Sequence, residues 1–145
     1  KWKASDGKIL LLDVRTNEEY IFVGHSAMAY NIPAFTQSYK WDDSKNKFPM
    51  QPNPDFVKQV LEIVKKTDTL FVMCRSGGRS ALAVNKLAEA GFSQVYNITD
   101  GMEGDVVKDT QSLFLGQHLV NGWKNSGLPW TYDINPKLMI IPESR

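Results

Sequence analysis

The chain's single cysteine, Cys74, lies in the stretch Leu70–Ser80, which reads LFVMCRSGGRS. A lone thiol is a candidate nucleophile only if its surroundings favour the thiolate, and here the neighbours are of that kind. Leu70 to Met73 form a short apolar run bounded by polar residues, predicted to be a buried strand. From Ala81 onward the sequence is predicted to be helical, so Cys74 falls at a strand-to-helix turn. Between the two lie Arg75, Ser76, Gly77, Gly78 and Arg79. The glycines allow a tight turn with positive φ, and successive N–H groups can then face one concavity, a nest that binds anions. The helix start adds unpaired N–H groups and a positive dipole end. The chemistry this suggests is nucleophilic attack by sulfur inside a loop built to hold negative charge.

Other elements must carry this loop. Ile9 to Val14, ILLLDV, is a continuous apolar run predicted to be a central parallel strand. Thr16-Asn17-Glu18-Glu19 fits a capping box, so a short helix is expected to start there. Asp13 and Arg15, flanking the strand end, read as a surface ion pair. Ala29 to Ile32 reads as another short strand. His25, following Gly24 at a turn, is expected to bond backbone groups and not to serve as a base. Phe35 to Asn53 is a long polar connection; Tyr39, Trp41 and Phe48 suit packing on the domain, with an entrance or docking role as the alternative. Asn53-Pro54-Asp55 reads as a helix start, with Asn53 as cap and Pro54 at the first helical position. The apolar face of that helix would run to Lys65 and Lys66.

After the loop, a helix is predicted from Gly78 or Arg79 to Ala90, with Ala81, Leu82, Val84, Leu87 and Ala88 facing inward and Gly91 as a left-handed cap. Phe92 to Ile98 supplies the next strand. The alternation is that of an open α/β sheet covered on both faces, where ligands collect at the carboxyl ends of strands. Lys1 to Lys8 read as the tail of a helix and a turn. Residues 104–121 could form a short helix or a lid near the site, and residues 131–145 read as a proline-interrupted tail in which Leu138 to Ile141 could add a strand.

CRSGGRS, with LLDVRTNEEY and GHSAMAYNIP before it and VYNITDG and GWKNSGLPW after it, resembles the single-domain rhodanese (sulfurtransferase) family. The resemblance spans about Ile9 to Trp130 and keeps the motifs in order. It implies a rhodanese-like three-layer α/β/α fold with a central, mainly parallel sheet, one domain over 1–145 and an N-terminal edge that is truncated or rearranged. It also implies that Cys74 carries a persulfide between a small sulfur donor, such as thiosulfate, and cyanide or a thiol, with a thiol protein as a further candidate acceptor. Asp13 and Arg15 match the family's Asp-x-Arg motif, whose side chains brace the active-site surroundings. The family usually places a tryptophan soon after the position of Gly101; here it arrives only at Trp123, which leaves its placement open. Similar sequences often carry an export signal, which points to the periplasm, with the cytoplasm as the alternative.

The residues can be weighed against that chemistry. A persulfide carrier needs an accessible cysteine, present as thiolate and ringed by donors. Cys74 with the amides of Arg75, Ser76, Gly77, Gly78, Arg79 and Ser80 offers this, and Arg75 and Arg79 are suited to hold the sulfonate oxygens of thiosulfate. Two other readings stay open. Cysteine phosphatases of related fold separate Cys and Arg by five residues, whereas four stand between Cys74 and Arg79. A non-catalytic or redox-sensing module would more typically lack the cysteine or the glycines.

Composition narrows the remaining classes. The chain has 145 residues, enough to bury a core as one domain. Its net charge of +1 argues against a general nucleic-acid binder. One cysteine excludes an internal disulfide, and His25, His118 and Cys74 lack the short spacings of zinc ligands, so neither metal nor cofactor is expected. No apolar run is long enough to span a membrane, and no signal peptide is read, although a start at Lys1 leaves room for an upstream segment. A monomer is expected.

Overall fold

The computed structural model describes residues 7–142. Its centre is a four-stranded, wholly parallel sheet in the order β2-β1-β5-β6. The strands are β1 (Ile9–Asp13), β2 (Ala29–Asn31), β5 (Thr69–Met73) and β6 (Val95–Asn97). A separate antiparallel hairpin pairs β3 (Phe35–Gln37) with β4 (Met50–Pro52). The helices are α1 (Asn17–Val23), α2 (Phe56–Ile63) and α3 (Gly78–Glu89). This is the three-layer α/β arrangement expected from the sequence.

β1 and β5 lie side by side with Ile9 opposite Thr69 and Asp13 opposite Met73. Because side chains alternate along a strand, the apolar run of β1 feeds two cores. Leu12, with Val14, Ile32, Leu70 and Val72, packs against Phe56 and Val60 of α2 and Ala83 and Leu87 of α3. Leu11 and Met73 pack on the opposite face against Tyr20 of α1, Met102 and Trp123. The second face is therefore covered by one short helix and by irregular chain after β6.

α1 starts where the sequence placed it. Thr16 accepts the Glu19 N–H, and the Glu19 carboxylate accepts the Thr16 N–H, closing the capping box. The α2 start differs from expectation: the helix begins at Phe56, and Asn53 instead caps the turn before it, its Oδ1 accepting the Asp55 N–H at 3.1 Å. In α3 the inward residues are Ser80, Ala83 and Leu87, while Leu82 and Ala88 are exposed. The spacing 80, 83, 87 is the helical stripe; the expectation followed residue type too closely and placed Leu82 and Ala88 on the wrong side. Gly91, at φ 98°, ends the helix as predicted.

Three connections are also redefined. Residues 35–53 contain the β3–β4 hairpin; Trp41 and Phe48 meet edge to face beyond it and stand exposed, while Tyr39, also exposed, donates its hydroxyl to Glu18 of α1 at 2.7 Å. The 104–121 insertion is built of turns, not a helix. Its neck is pinched shut: the Asp105 N–H donates to Asn121 Oδ1, and the Trp123 N–H returns to the Gly101 carbonyl at 2.9 Å. Trp123 thus follows Gly101 in space despite the insertion. The tail forms a 3-10 turn at Pro136–Leu138, and the Ile140 N–H then donates to the Asn31 carbonyl, so the tail lies along the β2 edge. The reading of Lys1 to Lys8 falls outside the described residues up to Asp6, as does the tail beyond Pro142.

Candidate functional site

β5 delivers Cys74 to the carboxyl edge of the sheet, and α3 leaves four residues later. Gly77 makes the turn. It has φ 101°, in the left-handed region, and a Cβ there would sit 1.8 Å from the Thr99 carbonyl oxygen. Only glycine fits that backbone and that space. The outcome is a directed donor: the Gly77 N–H points at Cys74 Sγ, 3.1 Å away.

A second donor comes from α3. Ser80 Oγ lies 3.3 Å from Cys74 Sγ and 3.1 Å from the Gly77 carbonyl. That carbonyl already accepts the Ala81 N–H and the Asn97 side-chain amide. The Ser80 hydroxyl thus stands between the Gly77 carbonyl and the sulfur, close enough to donate its hydrogen to either. Asn97 positions the loop from β6, a role that nothing local in the sequence signals. Behind the cysteine, the Cys74 carbonyl accepts the Met102 N–H and the Arg75 carbonyl accepts those of Glu103 and Gly104. The loop is thus clamped on the side of the chain that follows β6.

Cys74 is 1% exposed, which corrects the expectation of an accessible thiol. Of the loop amides from Arg75 to Ser80 expected to ring the sulfur, Gly77 is the one whose N–H donates to it among the described residues. Exposed Arg75 and Gly78 form the outer surface of the loop, with Ser76 and Arg79 partly covered.

Both arginines of the loop lean on carboxylates. Arg79 donates from Nη1 to Glu19 Oε2 at 2.6 Å and from Nη2 to Glu19 Oε1 at 2.7 Å, a two-pronged pair across the sheet edge. Burial opposes the Arg79 charge, but Glu19 outweighs it with a smaller contribution from Cys74, so the guanidinium pKa lies above its ordinary value. Burial likewise pushes the Glu19 carboxyl up, yet the Arg79 hydrogen bonds and charge hold it below the usual carboxylate range. Arg75 Nε stands 3.4 Å from Glu103 Oε2, at a more exposed position. The sequence showed Glu19 only as a capping residue, and Glu103 gave no signal.

Asp13 and Arg15 are both fully buried, which corrects the reading of a surface pair. Arg15 Nη2 donates to Asp13 Oδ2 at 2.7 Å and to the Gly24 carbonyl at 2.8 Å, while Nε donates to Asp13 Oδ1 at 2.9 Å. The pair joins the end of β1 to the exit of α1. His25 bonds backbone as expected, with Nδ1 2.9 Å from the Tyr20 carbonyl and Nε2 3.1 Å from that of Asp133. Its ring stacks on Tyr20, whose phenol burial pushes up to about 12. Among the described residues, no group of three or more His, Cys, Asp or Glu side chains could hold a metal ion, and no helix is long and apolar enough to cross a membrane.

A cysteine cradled at the carboxyl edge of a parallel sheet, on this topology, defines a class. The chain belongs to the rhodanese-like domain family, whose profile matches residues 2–106. An uncharacterized protein of Rickettsia prowazekii is 37% identical over 127 residues, covering 84% of this chain and 82% of its own. The chloroplastic thiosulfate sulfurtransferase 16 of Arabidopsis thaliana is 39% identical over 90 residues, covering 62% of this chain and 68% of its own. Among solved structures, Rv0390 from Mycobacterium tuberculosis matches with a TM-score of 0.68 at 26% identity, over 87% of this chain and 86% of that one. The rhodanese-like domain of Alr3790 from Anabaena, at 21% identity and a TM-score of 0.55 over 87% and 89% of the two chains, shows the same fold.

Proposed function

We propose that the protein is a sulfurtransferase in which Cys74 carries sulfane sulfur as a persulfide. The observation that carries this reading is the pair of donors on Cys74 Sγ, from the Gly77 amide at 3.1 Å and the Ser80 hydroxyl at 3.3 Å. Such donors stabilise the attacking thiolate, and after transfer they can hold the negative charge of the outer sulfur. In the first half-reaction the Cys74 thiolate attacks the outer sulfur of thiosulfate, the S–S bond of the donor breaks, and sulfite leaves with the electron pair. In the second, cyanide or a thiolate attacks the outer sulfur of the persulfide, and the Cys74 thiolate is released. The similarity to a thiosulfate sulfurtransferase of Arabidopsis supports the same assignment.

The geometry gives the loop residues distinct parts. Gly77 and Ser80 hold the sulfur, Gly78 leaves the outer face of the loop open, and Asn97 fixes the Gly77 carbonyl. Four residues between Cys74 and Arg79 make a ring suited to one sulfur atom and tight for three phosphoryl oxygens. The test is mass spectrometry of protein incubated with thiosulfate and desalted. One added sulfur atom on Cys74, removed by cyanide and absent in Cys74→Ser, is the expected result. Native turnover by Cys74→Ser, or robust Cys74-dependent hydrolysis of aryl phosphates, overturns the reading.

A further inference from the structure

We infer that Glu19, by holding the Arg79 guanidinium in a two-pronged pair at the rim of the Cys74 loop, sets which donor the site takes, favouring a sulfane-sulfur donor of low charge over a dianion. This rests on reading Cys74 as the sulfur carrier.

Arg79 is the loop cation that a dianion such as thiosulfate would be expected to use. Its two outward nitrogens are instead committed to Glu19 at 2.6 and 2.7 Å. Planar pairing of this kind is the strongest contact a guanidinium makes with a carboxylate. Glu19 is also fixed from its other side. Its Oε2 accepts the Thr16 N–H at 3.1 Å and lies 3.2 Å from Thr16 Oγ1, and Thr16 is buried. The carboxylate is therefore placed by the start of α1, independently of the loop. Both partners are mostly covered, at 17% and 18% exposure, so solvent screens the pair only in part.

The second arginine has the same arrangement in a weaker form, with Arg75 Nε 3.4 Å from Glu103. Each loop cation is thus matched by a carboxylate from elsewhere in the fold. An arriving dianion meets a rim whose positive charge is already neutralised, and it must approach the Glu19 carboxylate as well. A donor with one negative charge pays less of this repulsion, while the amide and hydroxyl on Cys74 Sγ serve both equally. Glu19 touches neither the sulfur nor the donor, so it acts through Arg79.

Two donors that deliver sulfur by the same chemistry separate charge from reactivity. Thiosulfate, a dianion, leaves as sulfite; methanethiosulfonate, a monoanion of similar shape, leaves as methanesulfinate. In both, the Cys74 thiolate takes the outer sulfur and the leaving group keeps the electron pair. The readout is the ratio of kcat/KM for thiosulfate to kcat/KM for methanethiosulfonate. Glu19→Gln keeps the capping box, which glutamine also satisfies, and frees Arg79. That variant is expected to raise the ratio about fivefold, through KM, with the gain shrinking as salt is added. Arg79→Gln leaves Glu19 uncompensated and is expected to lower the ratio below native. The double variant is expected to return it near the native value, a coupling that mere loss of structure would not produce.

An unchanged or lowered ratio in Glu19→Gln overturns the inference. So does an equal loss with both donors, which would make Glu19 a support for the loop alone. Wild-type protein that gains no sulfur on Cys74 from either donor overturns the underlying reading, and this one with it.

Discussion

The two adjacent glycines of the loop look interchangeable in sequence but have opposite demands, and exchanging each for alanine separates them. At Gly77 the backbone is left-handed, which costs a residue with a Cβ about 1–2 kcal/mol. The new Cβ would also lie 1.8 Å from the Thr99 carbonyl oxygen, well inside any real contact, and the obstacle is backbone that cannot rotate away. Either the loop or the β6 exit must move, so Gly77→Ala is expected to cost about 3 kcal/mol or more. For a chain of this length that is a fall of roughly 6–12 °C in Tm. The displaced Gly77 N–H would leave Cys74 Sγ, and loss of one aimed donor is expected to slow sulfur uptake by about a hundredfold. At Gly78 no heavy atom lies within 4 Å of the added Cβ. Gly78→Ala is expected to be neutral or stabilising by up to ~1 kcal/mol, because it restricts the unfolded chain without strain. Thermal unfolding followed by circular dichroism, with mass-spectrometric uptake of sulfur from thiosulfate, checks both. Equal Tm values and equal uptake for the two variants would refute the assignment of Gly77 as the residue that aims the loop.

Two further outcomes test the frame around the loop. Asp13→Asn leaves the fully buried Arg15 charge without its carboxylate and is expected to cost about 3–5 kcal/mol in urea unfolding, whereas Asp42→Asn, in the exposed pair with Lys45, should change little. The Glu19 carboxyl, held below its unfolded value of 4.5 by Arg79 against the opposing effect of burial, adds stability that is complete above about that pH and is lost as pH falls through the folded value. Tm is therefore expected to drop below pH 4.5, and to drop less steeply in Glu19→Gln; identical acid profiles would show that the pair does not contribute to folding.

What was legible in the sequence was what local pattern determines. The run Leu70–Met73, the glycines after it and the helix beyond specify a strand, a turn and a helix start without reference to the rest of the chain, and the structure has them at β5, Gly77 and α3. The capping box at Thr16 and Glu19 was legible for the same reason. The rest was hidden because it depends on pairings between distant segments. Glu19 is fully accounted for by its capping role, so nothing in the sequence signals that the same carboxylate meets Arg79, sixty residues on. Asn97 and Thr99 matter to the site only because β6 lies next to β5, bringing the Asn97 amide to the Gly77 carbonyl and the Thr99 carbonyl against the Gly77 Cα. Arg15 is charged, and exposure is the usual fate of charge; only the fold shows it buried, bridging the end of β1 and the Gly24 carbonyl at the exit of α1.

The same contrast explains why a motif alone overstates the loop's charge. In sequence, CRSGGRS offers two cations beside a cysteine, which suggests a site tuned to a dianion. In the fold, Glu19 on α1 and Glu103 after β6 each meet one of those cations, so the positive character that remains at the sulfur is that of the Gly77 amide and the α3 start. Backbone donors carry no net charge and cannot be neutralised by a neighbouring carboxylate. On the proposed reading of Cys74 as a sulfur carrier, they would stabilise a single negative charge on sulfur, the charge common to an attacking thiolate and a persulfide, whatever donor supplied it.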